Sequence, residues 1–351
     1  MPPDSHYMQL PREVLIGQNV VPLVGGILTR LGIQGRAQII TGPKVREIAT
    51  ATVIESVEAA KFVTSTTIVN GATTEEVQQV EREINRFNPD IVVGVGGGKD
   101  IDVAKLSSMH ASKQFVSVPT AASHDGIASP LVSMKGLDRP YSYVAHAPMA
   151  IVADTSIIAK SPYRLIASGC GDIVAKYTAV RDWRLAHRIK GEYYGDYAAE
   201  LAMMSSRLVM KNASGIRMLT NSGVRTLVEA LISCGVAMSI AGTSRPCSGA
   251  EHLFSHYLSM IAPNSALHGE QCGIGTILCA YLHGANWQHI KDVLHTIGAP
   301  TSAKELRISK DHILDALTKA HSIRPERYTI LGESGLTRET AERVATITGV
   351  I

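Results

Sequence analysis

Short apolar runs alternate with stretches of helical spacing along the first 155 positions. The runs Arg36–Thr41, Ser65–Asn70, Ile91–Val95, Gln114–Val118 and Met149–Ala153 are rich in Val and Ile and nearly free of charge. A strand reads this way when both its faces are covered. Between the runs, Lys44–Ala60, Thr74–Phe87 and Asp100–His110 repeat apolar residues at helical intervals, and Thr74 followed by Glu76 and Val77 reads as a helix start. Such alternation predicts parallel βαβ units with right-handed crossovers. Beyond residue 156 no strand pattern recurs. Asp172–His187, Tyr197–Leu208, Gly223–Ala241, Ala250–Ile261 and Glu270–Leu282 are helical and apolar on one face. The pattern predicts an α/β domain with a Rossmann-like parallel sheet over 1–155 and an all-α domain over 156–351. A ligand cleft is expected where they meet.

Composition narrows the function. Of 351 residues, 45% are hydrophobic and 19% charged, enough to bury a sizeable core. The formal charge of +3 is spread without a basic patch, and aromatics are only 5%. Both features argue against a nucleic-acid partner. The opening MPPDSHYMQLPREV has no apolar core of a secretory signal, and Leu227–Gly242 is interrupted by Glu229, Ser233 and Ser239. No membrane insertion is expected. Cys170, Cys234, Cys247, Cys272 and Cys279 show no CxxC spacing, which suits reduced, buried thiols in a cytoplasmic protein.

Three stretches carry candidate chemistry. Gly94-Val95-Gly96-Gly97-Gly98-Lys99-Asp100 follows a predicted strand and opens a helix. Glycines there let backbone approach a pyrophosphate, and helix-start N–H groups supply positive potential. The run fits neither G-x-G-x-x-G nor the Walker pattern, and a glycine cluster also serves as a plain tight turn. Val118–Pro130 (VPTAASHDGIASP) follows another strand, at the end where open α/β sheets bind ligands. It reads equally as an ordinary capped connection. In the helical half stand Asp172, at a predicted helix start, His252 and His256, four apart on one helix face, and His268, in the connection Pro263–Gly269. One carboxylate and two imidazoles would suit a catalytic Zn²⁺ with a position left open, and would accept other divalent ions. Spacing does not choose between His252 and His256, and a histidine pair four apart is also a common polar patch.

Taken in order, GGGK-x-x-D-x-x-K at Gly96–Lys105, Asp172 and the two histidine segments resemble the superfamily of glycerol dehydrogenase, iron-type alcohol dehydrogenases and dehydroquinate synthase. Within it, VPTAASHDGIASP and SGAEHLFSHYL (Ser248–Leu258) look like the sn-glycerol-1-phosphate dehydrogenases, which make the archaeal lipid glycerol backbone. The resemblance implies that Gly96, Gly97, Gly98, Lys99 and Asp100 hold the pyrophosphate of NADPH or NADH. Thr120, Ala121, Ser123 and Ser129 would line the nicotinamide side. It implies Asp172, His252 and His268 as Zn²⁺ ligands, with Asp125, Asp172 and His256 meeting the substrate, dihydroxyacetone phosphate. Asp172, His252, His268 and His256 would then carry catalysis, and a homo-oligomer is implied. A glycerol dehydrogenase acting on unphosphorylated glycerol and a dehydroquinate-synthase-like lyase are the alternatives. The stretch after Arg36–Thr41 carries no acid for a ribose 2′-hydroxyl, whereas Lys44 and Arg46 suit a 2′-phosphate. NADPH is therefore expected to serve at least as well as NADH.

Overall fold

The computed structural model describes residues 8–134, 142–263 and 266–351. The first seven residues, half of the opening read above, and two positions of the connection 263–269 lie outside the described residues. The chain forms two compact units, divided between Tyr163 and Arg164.

The first unit contains β1 (Glu13–Gly17), α1 (Val24–Arg30), β2 (Arg36–Thr41), α2 (Ala51–Ala59), β3 (Val63–Ile68), α3 (Thr74–Phe87), β4 (Ile91–Gly96), α4 (Gly98–His110), β5 (Gln114–Pro119), the short strands β6 (Leu131–Val132) and β7 (Tyr143–Val144), β8 (Ala150–Asp154) and α5 (Thr155–Ala159). Six strands pair in parallel in the order β1-β8-β5-β4-β2-β3. Successive residues of one strand feed opposite cores. Val93 and Val95 join Ile27, Leu28, Val53 and Val57 on one face, while Val92 joins Val80, Ile84 and Ile101 on the other. Double coverage explains the unbroken apolar runs.

Several expected boundaries move. β3 begins two residues earlier than predicted, because Arg36 to Thr41 of β2 pair with Val63 to Ile68. β1 was not anticipated: it is a half-exposed edge strand with little pattern, held by parallel pairing with β8. α3 keeps its expected bounds, Thr74 to Phe87, and is capped by Thr73, whose hydroxyl accepts from the Glu76 N–H. Short α5 packs on β1 and β8, which keeps residues 155–159 with the first unit.

The second unit is helical among its described residues: α6 (Tyr163–Lys190), α7 (Asp196–Lys211), α8 (Ala213–Arg217), α9 (Asn221–Ala241), α10 (Ala250–Ile261), α11 (His268–Leu282), α12 (Trp287–Ile297), α13 (Ala303–Leu306), α14 (Lys310–Lys319) and α15 (Arg338–Ile347). α9 is long and apolar enough to cross a membrane, yet 67% of its apolar window is buried, as befits a core helix packed on α7. All five cysteines are buried.

Two expectations about the site helices are corrected. Asp172 does not start a helix: it lies well inside α6. His268 does not sit in a connection: it opens α11. One packing detail accounts for both. A Cβ on Gly171 would stand 2.1 Å from the Gly269 carbonyl oxygen, and one on Gly269 would stand 1.8 Å from that of Ser168. The backbones of α6 and α11 therefore touch through two glycines, each the neighbour of a site residue. Glycine inside a helix marks close approach here, not a terminus.

Candidate metal centre and nucleotide turn

Asp172, His252, His268 and Cys272 each offer one donor atom, and all four atoms lie within 4.8 Å of one another. Nε2 of His252 stands 3.3 Å from Asp172 Oδ1, and Nε2 of His268 stands 4.0 Å from it. The other ring nitrogens explain this presentation. Nδ1 of His252 lies 2.9 Å from Glu251 Oε1, a carboxylate oxygen that can only accept. Ser255 donates its hydroxyl to Gln271 Oε1 (2.8 Å), so toward His268 Nδ1, 3.0 Å away, it accepts. With the proton on Nδ1, each imidazole would have its Nε2 lone pair left for a metal ion held beside Asp172. Outer-sphere bonds of this kind orient histidine ligands for a metal.

Glu251 is itself anchored by the Gly249 N–H (2.7 Å) and the Thr178 hydroxyl (2.9 Å), tying α10 to α6. Fully buried Lys176, one turn after Asp172, donates to its Oδ1 at 2.6 Å. Burial alone would raise the Asp172 carboxyl, but Lys176 and then His252 hold it well below the ordinary carboxylate value. It is ionised and ready to ligate. Burial likewise opposes ionisation of Cys272, yet His252 and His268 bring its thiol down to about 6.

The donor chemistry fits a metal ion. Carboxylate, two imidazoles and a thiol suit a borderline-soft divalent cation, whereas a thiol is out of place for magnesium or calcium. His256 belongs to the same cluster without facing Asp172. Its ring lies 5.9 Å from that of His268 and 6.4 Å from that of His252. Burial, then the neighbouring imidazoles and arginines, hold it well below its ordinary value. It is a neutral, half-buried group beside the donors. Sequence reading missed Lys176, Glu251, Ser255, Gln271 and Cys272. Two of these stand one helical turn from a predicted ligand, at positions 176 and 272, which was the available signal.

In the first unit, the glycine turn joins β4 to α4. The Gly97 N–H donates to Asp100 Oδ2 at 3.1 Å, and the Thr120 N–H donates to the Gly96 carbonyl at 2.9 Å. A Cβ at Gly97 would meet nothing within 4 Å, so open space faces the first turn of α4. That hollow at a helix start fits a pyrophosphate. Lys99 is half-exposed and donates to the Asn70 carbonyl (3.1 Å). Burial raises the Asp100 carboxyl to about 6, and its Oδ1 has no hydrogen-bond partner. The same carboxylate would touch a Cβ on Gly42 at 2.9 Å, which puts an acid at the end of β2 that local sequence lacks. Lys44 and Arg46 are exposed just beyond.

The stretch 118–130 folds back on this turn. A Cβ on Gly98 would strike His124 Nε2 at 1.8 Å, and His124 Nδ1 accepts from the Gly126 N–H at 2.9 Å. Beneath it, fully buried Lys105 donates to the carbonyls of Gly126 and Leu131, each at 2.7 Å. Burial lowers its ammonium to about 8, against the pull of Asp102 and Asp125. Thr120, Ala121 and Ser129 are buried, and Ser129 Oγ accepts from the Leu131 N–H (3.3 Å). Ser123 and Asp125 are half-buried.

Comparisons with known proteins agree with this anatomy. Residues 15–162 match the family model described as iron-containing alcohol dehydrogenase. A curated relative from Thermococcus kodakarensis, named glycerol-1-phosphate dehydrogenase (NAD(P)+), is 54% identical over 346 residues, covering 99% of each chain. One of the same name from Methanothermobacter thermautotrophicus is 50% identical over 348 residues, covering 99% of this chain and 100% of the relative. Among solved structures, glycerol dehydrogenase from Schizosaccharomyces pombe superposes with a TM-score of 0.82 at 17% identity, covering 98% of this chain and 90% of that one. A probable glycerol dehydrogenase from Sinorhizobium meliloti gives 0.80 at 18%, covering 99% and 100%. At such identity the structures speak to the fold alone.

Proposed function

Because the chain belongs to the family of NAD(P)+ glycerol-1-phosphate dehydrogenases, we propose that it reduces dihydroxyacetone phosphate to sn-glycerol 1-phosphate with hydride from NADPH or NADH. The observation that carries the reading is the convergence of positions 172, 252 and 268, far apart in sequence, into one donor cluster with both histidines oriented to ligate. Asp172, His252 and His268 would hold a zinc-like ion, with the Cys272 thiol a fourth donor within reach. Bound there, such an ion supplies Lewis acidity that polarises a carbonyl oxygen.

The remaining work falls to the chain's own groups. Gly97 leaves room for the cofactor pyrophosphate, Gly96 and Gly98 let Asp100 and His124 pack close against the turn, and the N–H groups opening α4 complement the pyrophosphate charge. Lys99 adds a cation at that turn. Thr120, Ala121, Ser123 and Ser129 would line the nicotinamide side, on a stretch fixed by Lys105. Asp125 and His256 would contact substrate hydroxyls. Once hydride reaches the carbonyl carbon, the oxygen must gain a proton, and neutral His256 would relay one from solvent, taking it up at one ring nitrogen as it releases one from the other.

The deciding assay follows NADPH oxidation with dihydroxyacetone phosphate before and after exhaustive chelation, with chiral analysis of the product. Activity is expected to vanish with chelator and to return on adding Zn²⁺. Full activity in the metal-free protein would refute the proposal. Exposed Lys44 and Arg46 further predict a Michaelis constant for NADPH no higher than that for NADH, measured under matched conditions, since guanidinium and ammonium groups pair with a 2′-phosphate. A much higher value for NADPH would remove them from cofactor binding.

A further inference from the structure

Arg324 and Arg327 follow the 3₁₀ turn Ala320–Ile323, which packs against α10, the helix of His252 and His256. Arg327 is only 7% exposed. Its Nη1 donates to the Ser248 carbonyl at 2.6 Å and its Nη2 to Ser244 Oγ at 2.7 Å, so the guanidinium is fixed beside the lead-in to α10. These bonds use only part of its donor fork.

The charge around it does not balance. Arg245 is paired with Glu192, and Arg324 Nε lies 3.2 Å from Glu326. Among the described residues Arg327 forms no ion pair. Burial, then Arg324 and Arg245, press its guanidinium below the ordinary value, though an arginine stays charged at neutral pH. The Arg324–Glu326 contact is a weak anchor, because the Glu326 side chain is 63% exposed. Both Arg324 and Arg327 stand close enough to His256 to act on it electrostatically. A surplus of buried positive charge is costly unless an anion offsets it, and guanidinium forks match phosphate oxygens in pairs.

We infer that Arg324 and Arg327 form the subsite that holds the phosphate of the substrate, beside His256. This rests on the proposed reaction and adds to it the groups that distinguish a phosphate ester from a free polyol. Arg327 is the fixed wall of the subsite, and Arg324 closes on the phosphate from the rim.

The test compares dihydroxyacetone phosphate with dihydroxyacetone in the metal-loaded enzyme and its Arg324→Gln and Arg324→Lys variants. Losing a charge-assisted bond to the phosphate should lower the ratio of kcat/KM for the two substrates roughly 10- to 100-fold in Arg324→Gln. The loss should appear mainly in KM, with partial recovery in Arg324→Lys. Inorganic phosphate should compete with dihydroxyacetone phosphate in the wild type and compete less well in Arg324→Gln. An equal loss on both substrates, or an unchanged ratio, overturns the subsite while the reaction stands. A wild type that prefers unphosphorylated dihydroxyacetone overturns both. Arg327→Lys keeps a charge without the fork and should also lower the ratio; its melting curve reports whether the fold survives.

Discussion

Replacing Asp172 by Asn should leave the protein without its metal ion and cut kcat by about three orders of magnitude. The substitution keeps size and polarity but removes the charge at the centre of the donor cluster, 3.3 Å from His252 Nε2. Losing a Lewis acid removes several kcal/mol of stabilisation of the developing charge, and each 1.36 kcal/mol is a factor of about ten. A second cost follows at Lys176, whose ammonium is fully buried against that carboxylate. Breaking a buried pair from one side destabilises by roughly 3–5 kcal/mol, so the melting temperature should fall as well. Metal per chain by elemental analysis, NADPH binding by fluorescence, and kcat form the measurement. Cofactor affinity should change far less than turnover, since the glycine turn belongs to the other unit. An Asp172→Asn enzyme with a full metal complement and ordinary kcat would remove this residue from the centre.

Alanine at Gly171 or Gly269 should destabilise the protein and weaken metal retention together. Inside a helix, Gly to Ala ordinarily stabilises by about 0.5–1 kcal/mol. At these two positions the added carbon would press on a carbonyl oxygen at 2.1 or 1.8 Å, against backbone that cannot swing aside. Overpacking of this sort costs roughly 1–3 kcal/mol, occasionally more. Forcing α6 and α11 apart also separates Asp172 from His268. Gly273, on α11, provides the contrast: its added carbon would meet Leu294 at 3.5 Å, an ordinary contact. Gly273→Ala should leave the melting temperature unchanged or raise it, with metal content intact. Equal behaviour of all three variants in thermal melts and metal analysis would defeat the argument. The double variant should cost less than the sum of the single ones, because both press on one contact.

What the sequence disclosed followed from pattern length. Strands covered on both faces, such as Ile91–Val95 and Gln114–Val118, announce themselves as apolar runs, and the structure pairs both within β4 and β5. β1 has no such signature, since an edge strand owes its place to its partner. The residue types of the donor cluster were visible as well, but their presentation was not. Nothing in the interval between His252 and His256 says which ring has a carboxylate behind it; Glu251 decides that, and its role emerges only when Thr178 and Gly249 are brought to it. Asp172 was misplaced at a helix start because glycines on both sides of Cys170 read as punctuation. The reason for Gly171 lies across the helix crossing, in Gly269, where local sequence has no voice.

The ammonium of Lys105 has a consequence for turnover. Lifting the segment from Gly126 to Leu131 would strip a buried cation of both carbonyls that solvate it and leave it leaning on Asp102, 3.9 Å away. That segment should behave as masonry rather than as a door, with amide protons among the slowest to exchange in its half of the molecule. Whatever gates the departure of product must then be hinged elsewhere.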